Sequence, residues 1–321
     1  MSSELISIVM PVYNAAHFLD YSIPSVLSQT YQNIELVIVD DASTDNSYEI
    51  IQKYTKLDSR VRAFSIPHVE GPKPTRDNAI MNAKGDWIVF VDADDAIDND
   101  LIEKLWKRHI ETGADFVCPV MRLVERKGKP VIYSIPKESF DLDVVYNGTE
   151  AMIRTLSSWE FGTIGALISR ENITNLYQLP NSLPYNDECD SRIYLNNSKL
   201  VAFTDASYYY TQHVNSSTHD KSVNALLFEI LNFVGLTHYF DNKYGKGNAL
   251  SIYSRYEAAN LFRKILPQVL LTSWKRKQCI SLQKKKVLDE AYAIFRQHNY
   301  KRNYLLVQLY RFLMLVVRYL R

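Results

Sequence analysis

Four short apolar runs, each followed by a stretch with helical spacing, fill the first hundred residues of this 321-residue chain. The runs are rich in β-branched residues and lack polar alternation, which is typical of parallel strands buried on both faces. Repeated alternation of strand and helix predicts an open α/β sheet of Rossmann type, which binds ligands beyond the carboxyl ends of its strands. The four predicted strands are residues 5–11, 34–39, 61–66 and 86–91.

The pattern becomes less regular after residue 100, and strand patterns stop after about residue 216. The spacing therefore predicts an α/β domain over residues 1–215 and a helical extension over residues 216–321. Within the α/β domain, the later predicted elements are helices 98–112 and 187–197 and strands 115–121, 163–169 and 200–204. The helices predicted for the extension are residues 219–241, 251–270, 284–297 and 303–320.

Composition and cysteine spacing narrow the class of protein. Apolar residues make up 46% of the chain and charged residues 23%, which suits a globular protein and excludes a disordered one. Three widely separated cysteines, Cys118, Cys189 and Cys279, do not suit a disulfide framework and favour a reducing compartment. The first residues lack the basic segment and cleavage site of a secretory signal, so we expect a cytoplasmic protein.

An acidic loop follows the fourth predicted strand directly. Asp92 and Asp94 can both face a pocket at the carboxyl end of that strand. Carboxylate oxygens suit Mg²⁺ or Mn²⁺, which commonly bridges protein carboxylates to substrate phosphates and stabilises the charge on a departing diphosphate. Aspartates in such a loop also cap the next helix, so the motif alone leaves both interpretations open.

Two further groups of polar residues occupy the ends of neighbouring predicted elements. Asp40 and Asp41 follow the second strand, where they can accept hydrogen bonds from a nucleoside or form a turn that starts the next helix. Lys73 and Arg76 open the third helix, where positive charge and the helix dipole favour phosphate. A surface ion pair is the alternative role for Arg76.

Two segments carry a specific resemblance to a known family. The segment SIVMPVYNAAHFLDYSIPSVLSQTYQNIELVIVDDASTDNS resembles the opening of family 2 glycosyltransferases, the large inverting group with the GT-A fold. The segment GPKPTRDNAIMNAKGDWIVFVDADD resembles that family's next block, and the match is collinear over roughly residues 5–100. The resemblance implies a GT-A fold, a Rossmann-like mixed sheet flanked by helices, with the C-terminal all-helical extension added.

The resemblance also implies a binding site for a nucleotide sugar with Mn²⁺ or Mg²⁺. Asp94 would hold the metal, and Asp92 would contact the ribose or a metal-bound water. Asp77 and Ala79 depart from the family's usual Asn and Gly, so local donor contacts can differ. The residues implied to contact the donor are Pro11, Tyr13, Asp40, Asp41, Lys73, Arg76, Asp92 and Ala93.

A general base and a further metal contact are implied later in the chain. The family's Glu-Asp pair opens a helix, and its Asp takes the proton of the acceptor hydroxyl. The segment here reads Asn186-Asp187-Glu188, so Asp187 is the implied base, Glu188 is the second candidate, and Asn186 replaces the usual Glu. Helix capping is the alternative role for Asp187. His213 follows the Tyr208-Tyr209-Tyr210 run and is an implied metal ligand or diphosphate contact.

Charge is divided unevenly along the chain, although the formal net charge is +1. Residues 1–270 carry 25 basic and 34 acidic side chains, whereas residues 271–321 carry 12 basic and 2 acidic ones. Residues 303–321 combine a broad apolar face with arginines, which predicts an amphipathic helix lying on a membrane rather than spanning it. We therefore expect peripheral association of residues 271–321 with the inner face of the cell membrane. The alternative is a helix that packs within the protein or forms an oligomer, and the interwoven apolar residues disfavour nucleic acid.

Together these features predict an inverting enzyme that moves one sugar from a UDP-sugar to a hydroxyl of a glycan or lipid-linked acceptor in surface polysaccharide synthesis. The sequence has no QxxRW motif, which favours single addition over processive synthesis. A nucleotidyltransferase is one alternative, although it would usually carry a glycine-rich loop where this chain has Pro11-Val12-Tyr13-Asn14. A non-catalytic relative that binds nucleotide sugars is the other.

Overall fold

Strands and helices alternate along the chain as far as residue 211, and the later part is mainly helical. This mixed α/β architecture with a helical C-terminal part is the one that the sequence predicted. The computed structural model describes residues 4–68, 72–125, 129, 131–135, 141–157, 161–174, 187–212, 223–276, 288–289 and 291–295.

Four parallel strands form one half of the central sheet. All seven residues of the second strand are buried, as are six of the seven residues of the first, and this burial on both faces explains their continuous apolar runs. Their spatial order is β3-β2-β1-β4, and each corresponds to a predicted strand. The strands are β1 (Ile6–Val12), β2 (Ile34–Asp40), β3 (Val61–Ser65) and β4 (Trp87–Phe90).

Three helices connect these four strands. They are α1 (Ala16–Leu27), α2 (Ser47–Leu57) and α3 (Pro72–Asn82). In α1 the apolar side chains recur at helical spacing and are fully buried against the sheet, as an amphipathic surface helix requires. The buried apolar residues of α1 are Leu19, Ile23 and Val26.

The other half of the sheet is mixed in direction. After β4 the spatial order continues β9-β6-β10-β5, and β9 is antiparallel to both β4 and β6. Two short strands join at the side, where β7 pairs with β6 and β8 pairs with β10. The elements of this half are β5 (Ala96–Ile97), α4 (Leu101–Thr112), β6 (Phe116–Val124), β7 (Tyr133–Ile135), β8 (Tyr146–Asn147), α5 (Gly148–Ser157), β9 (Leu167–Ser169), α6 (Arg170–Thr174), α7 (Asp187–Asn197) and β10 (Leu200–Thr211).

Strand β10 is longer than the sequence predicted. The expected strand ended at residue 204, but the structure continues through a register irregularity between Phe203 and Ser207 and ends at Thr211. The polar residues Thr204 and Asp205 interrupt the apolar pattern at that irregularity, which is why the pattern ended early. Although β10 follows every other strand of the described residues along the sequence, it lies between β6 and β5 in space.

The C-terminal part contains two long helices, α8 (Val223–Tyr244) and α9 (Ala249–Arg276). The chain divides into two compact units, one of Met1–Tyr177 with Ser191–His213 and the other of Gln178–Asp190 with Val214–Arg321. The predicted division between residues 215 and 216 stays a prediction. No helix in the described residues is long and apolar enough to cross a membrane. The helix predicted over 303–320 lies outside the described residues.

Candidate functional site

The carboxyl ends of three parallel strands lie side by side at one edge of the sheet. Val12 at the end of β1 is in register with Asp40 at the end of β2, and Asp40 is in register with Ser65 at the end of β3. Pro11 is half-buried one residue before the end of β1 and pairs with Val39. The register therefore brings together the loops that carry Tyr13 and Asp41, as the sequence predicted for a ligand site at this edge.

Side chains bind the loop after β1 to the loop after β2. Asn14 has a positive φ of 49°, and its Oδ1 accepts a hydrogen bond from the backbone N–H of Thr44 at 2.8 Å. In return, the N–H of Asn14 donates to Oγ of Ser43 at 2.9 Å. Asn tolerates this left-handed conformation better than most residues, so the turn is built at modest conformational cost. The two loops are therefore fixed relative to each other.

The neighbouring carboxylates Asp40 and Asp41 have different surroundings. Asp40 is 2% exposed, and its Oδ2 accepts a hydrogen bond from the N–H of Ser43 at 3.2 Å. Among the described residues, no group donates to its other oxygen, Oδ1, which is also buried. Oδ2 of Asp41 lies 3.0 Å from Nδ1 of His68, a residue that the sequence analysis did not select. A buried acceptor with an unmet hydrogen bond suits a polar ligand group.

His68 also contacts Tyr13 at this edge. The two rings have centroids 4.6 Å apart and planes inclined by 23°, which is a stacked arrangement. Tyr13 is 49% exposed, so an aromatic face at the strand ends is available to solvent. Tyr13, Asp41 and His68 therefore form a small cluster, which we call the stacking cluster.

Helix α3 places a guanidinium beside the acidic loop. Nη2 of Arg76 donates to Oδ1 of Asp92 at 2.7 Å, and the Arg76 side chain is 11% exposed. The sequence predicted both residues for the donor site, and the structure brings them into direct contact. Nζ of Lys73 forms an ion pair with Asp77 at 3.0 Å, four residues along the helix. The unusual Asp77 thus has a local partner, which ties Lys73 to the helix surface.

Strand β10 supports the acidic loop after β4 from below. The hydroxyl of Tyr208 accepts a hydrogen bond from the N–H of Asp92 at 3.1 Å and donates to Oδ2 of Asp95 at 2.6 Å. The N–H of Thr211 donates to Oδ1 of Asp95 at 2.8 Å. Asp95 is 1% exposed, so both of its oxygens are satisfied inside the protein. Asp95 therefore holds the loop to the sheet, and Asp92 and Asp94 precede it along the loop.

Gly165 makes room for Tyr208. A Cβ atom at this position would lie 2.5 Å from Cδ2 of Tyr208, and the φ of Gly165 is +72°, which strains any other residue. The N–H of Gly165 donates to the carbonyl of Phe90 at 2.8 Å, at the end of β4. The packing of one tyrosine ring against one glycine thus supports the acidic loop.

Mutual repulsion raises the electrostatic energy of the acidic loop. Burial raises the pKa of Asp95 well above its usual range, and the charges of Asp94 and Asp92 raise it further, whereas hydrogen bonds from Tyr208 and Thr211 act in the opposite direction. The carboxylates of Asp92 and Asp94 give the loop a negative charge, which a divalent cation would neutralise.

The chemistry of these groups fits a divalent metal ion. The described residues contain no group of three His, Cys, Asp or Glu side chains placed as a complete metal site. A Mg²⁺- or Mn²⁺-type site needs no such cage, because one or two carboxylates together with substrate phosphates and water are sufficient. Asp92 and Asp94 supply that number of carboxylates, and the buried Ala93 between them places both on the same short loop.

The proposed base region is partly described. Helix α7 begins at Asp187, but the Asp187 side chain lies outside the described part of the structure. The next residue, Glu188, is half-buried, and its Oε2 accepts a hydrogen bond from Nδ2 of Asn232 in α8 at 3.3 Å. Asn232 is 2% exposed and was not selected from the sequence. Asn186 and His213 also lie outside the described residues, so their roles stay predictions.

The order and direction of the strands, with acidic loops at their carboxyl ends, match the GT-A architecture. The chain belongs to glycosyltransferase family 2, because the family model described as "Glycosyl transferase family 2" matches residues 7–170. This membership confirms the resemblance seen in the sequence.

Two relatives show how far the sequence similarity extends. Glycosyltransferase GlyG of Streptococcus pneumoniae is 31% identical over 220 residues, which cover 67% of this chain and 73% of GlyG. The Escherichia coli enzyme WfgD is named UDP-Glc:alpha-D-GlcNAc-diphosphoundecaprenol beta-1,3-glucosyltransferase. It is 41% identical over 95 residues, which cover 30% of this chain and 37% of WfgD.

A solved structure extends the similarity to the helical part. The crystal structure of S. aureus TarS 1–349 in complex with UDP-GlcNAc aligns with a TM-score of 0.58 and covers 93% of each chain. At 18% sequence identity, this likeness shows the shared fold.

Proposed function

We propose that this glycosyltransferase is inverting and metal-dependent, and that it transfers one sugar from a UDP-sugar to a hydroxyl of a glycan or lipid-linked acceptor in surface polysaccharide synthesis. The observation that carries the proposal is the acidic loop after β4, where Asp92 contacts Arg76 and Asp95 is held in place by β10. An anchored carboxylate loop at strand ends suits the binding of a metal and a diphosphate.

The nucleoside part of the donor binds at the ends of β1 and β2 in this proposal. Tyr13 offers an exposed ring for stacking, and Asp41 offers a carboxylate that accepts an N–H of the base. Asp40 is buried beside them with an oxygen that accepts no hydrogen bond from the described residues. TarS has been crystallised with UDP-GlcNAc, and WfgD is named for UDP-Glc, which supports uridine as the nucleoside.

The diphosphate lies between α3 and the acidic loop. Asp94 and Asp92 would hold Mn²⁺ or Mg²⁺, which when bound would neutralise charge on the departing diphosphate. Arg76 is positioned by Asp92 and adds a fixed positive charge close to the same place. Lys73 is paired with Asp77, so its role is a longer-range attraction of phosphate.

The transfer itself requires a base for the acceptor hydroxyl. Asp187 at the start of α7 takes that proton in this proposal, and Glu188 is the second candidate. Glu188 accepts a hydrogen bond from the buried Asn232, and a carboxylate held in this way suits a positioning role better than proton transfer. Asp187 therefore remains the first choice for the base.

The acceptor and the location of the enzyme are inferred from the name of one relative and from the basic C-terminal segment. WfgD is named for an acceptor linked to diphosphoundecaprenol and for a β-1,3 product, which supports a lipid-linked acceptor and an inverting transfer. The basic residues of 271–321 support peripheral association with the inner face of the membrane. Membership of family 2 removes the nucleotidyltransferase alternative, whereas a non-catalytic relative is tested by activity.

Donor hydrolysis by the purified chain with Mn²⁺ tests the proposal, using a panel of UDP-, GDP- and CDP-sugars. We expect release of UDP from one donor, its loss in Asp94→Asn and Asp187→Asn, and its retention in Asp20→Asn, a control at an exposed carboxylate on α1. Release of a different nucleotide would overturn the choice of donor. Metal-dependent binding of UDP without turnover, even with lipid-linked acceptor, would favour the non-catalytic relative.

A further inference from the structure

The stacking cluster contains one residue that the proposed donor site does not use. His68 follows β3 by three residues, its ring stacks on Tyr13, and its Nδ1 lies 3.0 Å from Oδ2 of Asp41. These are the two side chains that the proposed function assigns to the nucleobase.

The two contacts of His68 are those that a nucleobase makes. A base is a planar ring that stacks on an aromatic side chain, and uracil has a ring N–H that a carboxylate accepts. The imidazole of His68 supplies both features, since its ring is inclined by only 23° to Tyr13 and its Nδ1 is within hydrogen-bond distance of Asp41. The imidazole and a bound base therefore require the same surface.

The backbone holds His68 beside Tyr13 and Asp41, but the side chain of His68 is not buried. The N–H of Ile66 donates to the carbonyl of Asp40 at 3.0 Å, which fixes the chain two residues before His68. The His68 side chain is 54% exposed, whereas the Asp41 side chain is 6% exposed. The exposed ring of His68 can change rotamer and move into solvent with little loss of packing, whereas the buried side chain of Asp41 is more restricted.

We propose that His68 is a built-in competitor of the donor's nucleobase, which occupies the stacking cluster when the site is empty and moves out when the donor binds. This inference rests on the proposed function, because it assumes that Tyr13 and Asp41 receive the base. His68 thereby lowers the affinity for a donor, because the base must displace the imidazole from Tyr13 and Asp41.

The competition has a defined effect on affinity. The apparent Kd of a ligand equals its intrinsic Kd divided by the fraction of protein in the competent state. If His68 occupies the cluster in roughly 70–90% of molecules, removal of its ring tightens nucleotide binding by roughly 3- to 10-fold. A histidine that forms part of the wall around the base would have the opposite effect, since its removal would weaken binding.

Calorimetric titration of UDP with Mn²⁺ into the full chain tests this inference. We expect His68→Ala to lower the Kd for UDP by roughly 3- to 10-fold. His68→Phe keeps a stacking ring but cannot contact Asp41, so we expect a Kd between those of the wild type and His68→Ala. His17→Ala removes an exposed histidine whose ring contacts Phe18, and it should leave the Kd unchanged.

A second measurement follows the ring itself. The imidazole resonance of His68, assigned by its loss in His68→Ala, should shift when UDP saturates the protein, because the ring leaves the face of Tyr13. The resonance of His17 should remain in place. An unchanged or higher Kd in His68→Ala, or a His68 resonance that UDP does not move, would overturn the inference. If neither the wild type nor any variant binds UDP, the proposed donor itself is wrong, and that result is distinct from the other two.

Discussion

Two acidic loops at the same edge of the sheet are built in different ways. The loop after β2 is held by neighbours close in sequence, since Asn14, Ser43 and Thr44 exchange hydrogen bonds within about thirty residues. The loop after β4 is held by Tyr208, which lies 116 residues further along the chain than Asp92. Each loop nevertheless has one buried carboxylate that accepts backbone N–H groups and another that contacts a side chain.

Neighbouring aspartates therefore have different roles, and the group that each one contacts determines its role. Asp40 and Asp95 are buried and accept backbone N–H groups, so they order the backbone of their loops. Asp41 and Asp92 instead contact side chains, His68 in one loop and Arg76 in the other. A carboxylate whose partner is a side chain can exchange that partner for a ligand, because side chains move more readily than an ordered backbone.

The largest expected effect is kinetic. Substitution in the loop after β4 should lower kcat, whereas substitution in the loop after β2 should raise KM. Asp94→Asn should lower kcat for donor turnover by about 10²–10³-fold, because it removes a metal contact that acts on the departing diphosphate. Asp41→Asn should instead raise KM for the donor by about tenfold with little change in kcat, since the base contact is equally strong in ground and transition states. Steady-state kinetics on both variants measures the contrast.

An equal fall of kcat in Asp94→Asn and Asp41→Asn would contradict the different roles of the two loops. Circular dichroism and thermal unfolding of both proteins are needed, since a misfolded variant loses kcat for an unrelated reason. Asp20→Asn serves as the matched control, because its carboxylate is exposed on α1.

The next effect tests whether long-range support is needed for the acidic loop. Tyr208→Phe removes the hydroxyl that binds both the Asp92 N–H and the Asp95 carboxylate, so we expect a loss of about 2–3 kcal/mol in the free energy of unfolding. The affinity for Mn²⁺ should fall as well, because the loop loses its anchor. Chemical denaturation and metal titration provide the two readouts. Tyr48→Phe is the control, since Tyr48 is 45% exposed, and a similar loss in both variants would contradict the assigned role.

Another buried carboxylate, Glu35, provides a reference at the start of β2, away from both loops. Burial acts to raise the pKa of Glu35, but hydrogen bonds from Ser7, the N–H of Lys84 and Arg62 outweigh it, so the pKa is lowered. Because the folded pKa lies below the unfolded value, its stabilisation is fully present above about pH 4.3 and is lost as the pH falls through the folded pKa.

We therefore expect Glu35→Gln to lose about 1–2 kcal/mol of stability at pH 7 and to flatten the decline of stability below about pH 4.3. Urea denaturation at several pH values measures both effects. An equally steep acid decline in the variant would show that other carboxylates dominate it, and donor binding at pH 7 should be unaffected.

The smallest effect concerns the local support of the first loop. Asn14→Ala removes the acceptor for the Thr44 N–H and places alanine at a positive φ, so we expect a loss of about 1 kcal/mol in stability. Asn14→Asp keeps an acceptor and should lose less. Thermal unfolding of the two variants measures the difference. A larger loss of stability in Asn14→Ala than in Tyr208→Phe would show that the local support of the first loop contributes more than the long-range support of the second.

The sequence predicted the parallel half of the sheet well. Buried strands gave continuous apolar runs, and the acidic residues after β2 and β4 stood at strand ends, so the edge of the sheet that carries both acidic loops followed from the pattern. The direct contact between Arg76 and Asp92 was not predicted, although the sequence selected both residues.

The supports of the site were harder to predict. Tyr208 belongs to a run of three tyrosines, and nothing local shows which hydroxyl reaches Asp95, since that depends on the register of β10 beside β6. Gly165 was missed because only glycine leaves room there for the ring of Tyr208, which is distant in sequence. His68 was missed because a histidine in a polar segment has no local signal, and its contacts form only when β3 is in place beside β2.

The position of β10 has a consequence for the order of events during synthesis. A ribosome that adds roughly 5–20 residues per second needs roughly 6–23 s to proceed from Asp92 to Tyr208, which are 116 residues apart. The first four strands can emerge and pair during that interval. The loop after β4 cannot form its contacts with β10 until that strand has been synthesised. We expect the loop after β2 to reach its final structure in the nascent chain before the loop after β4.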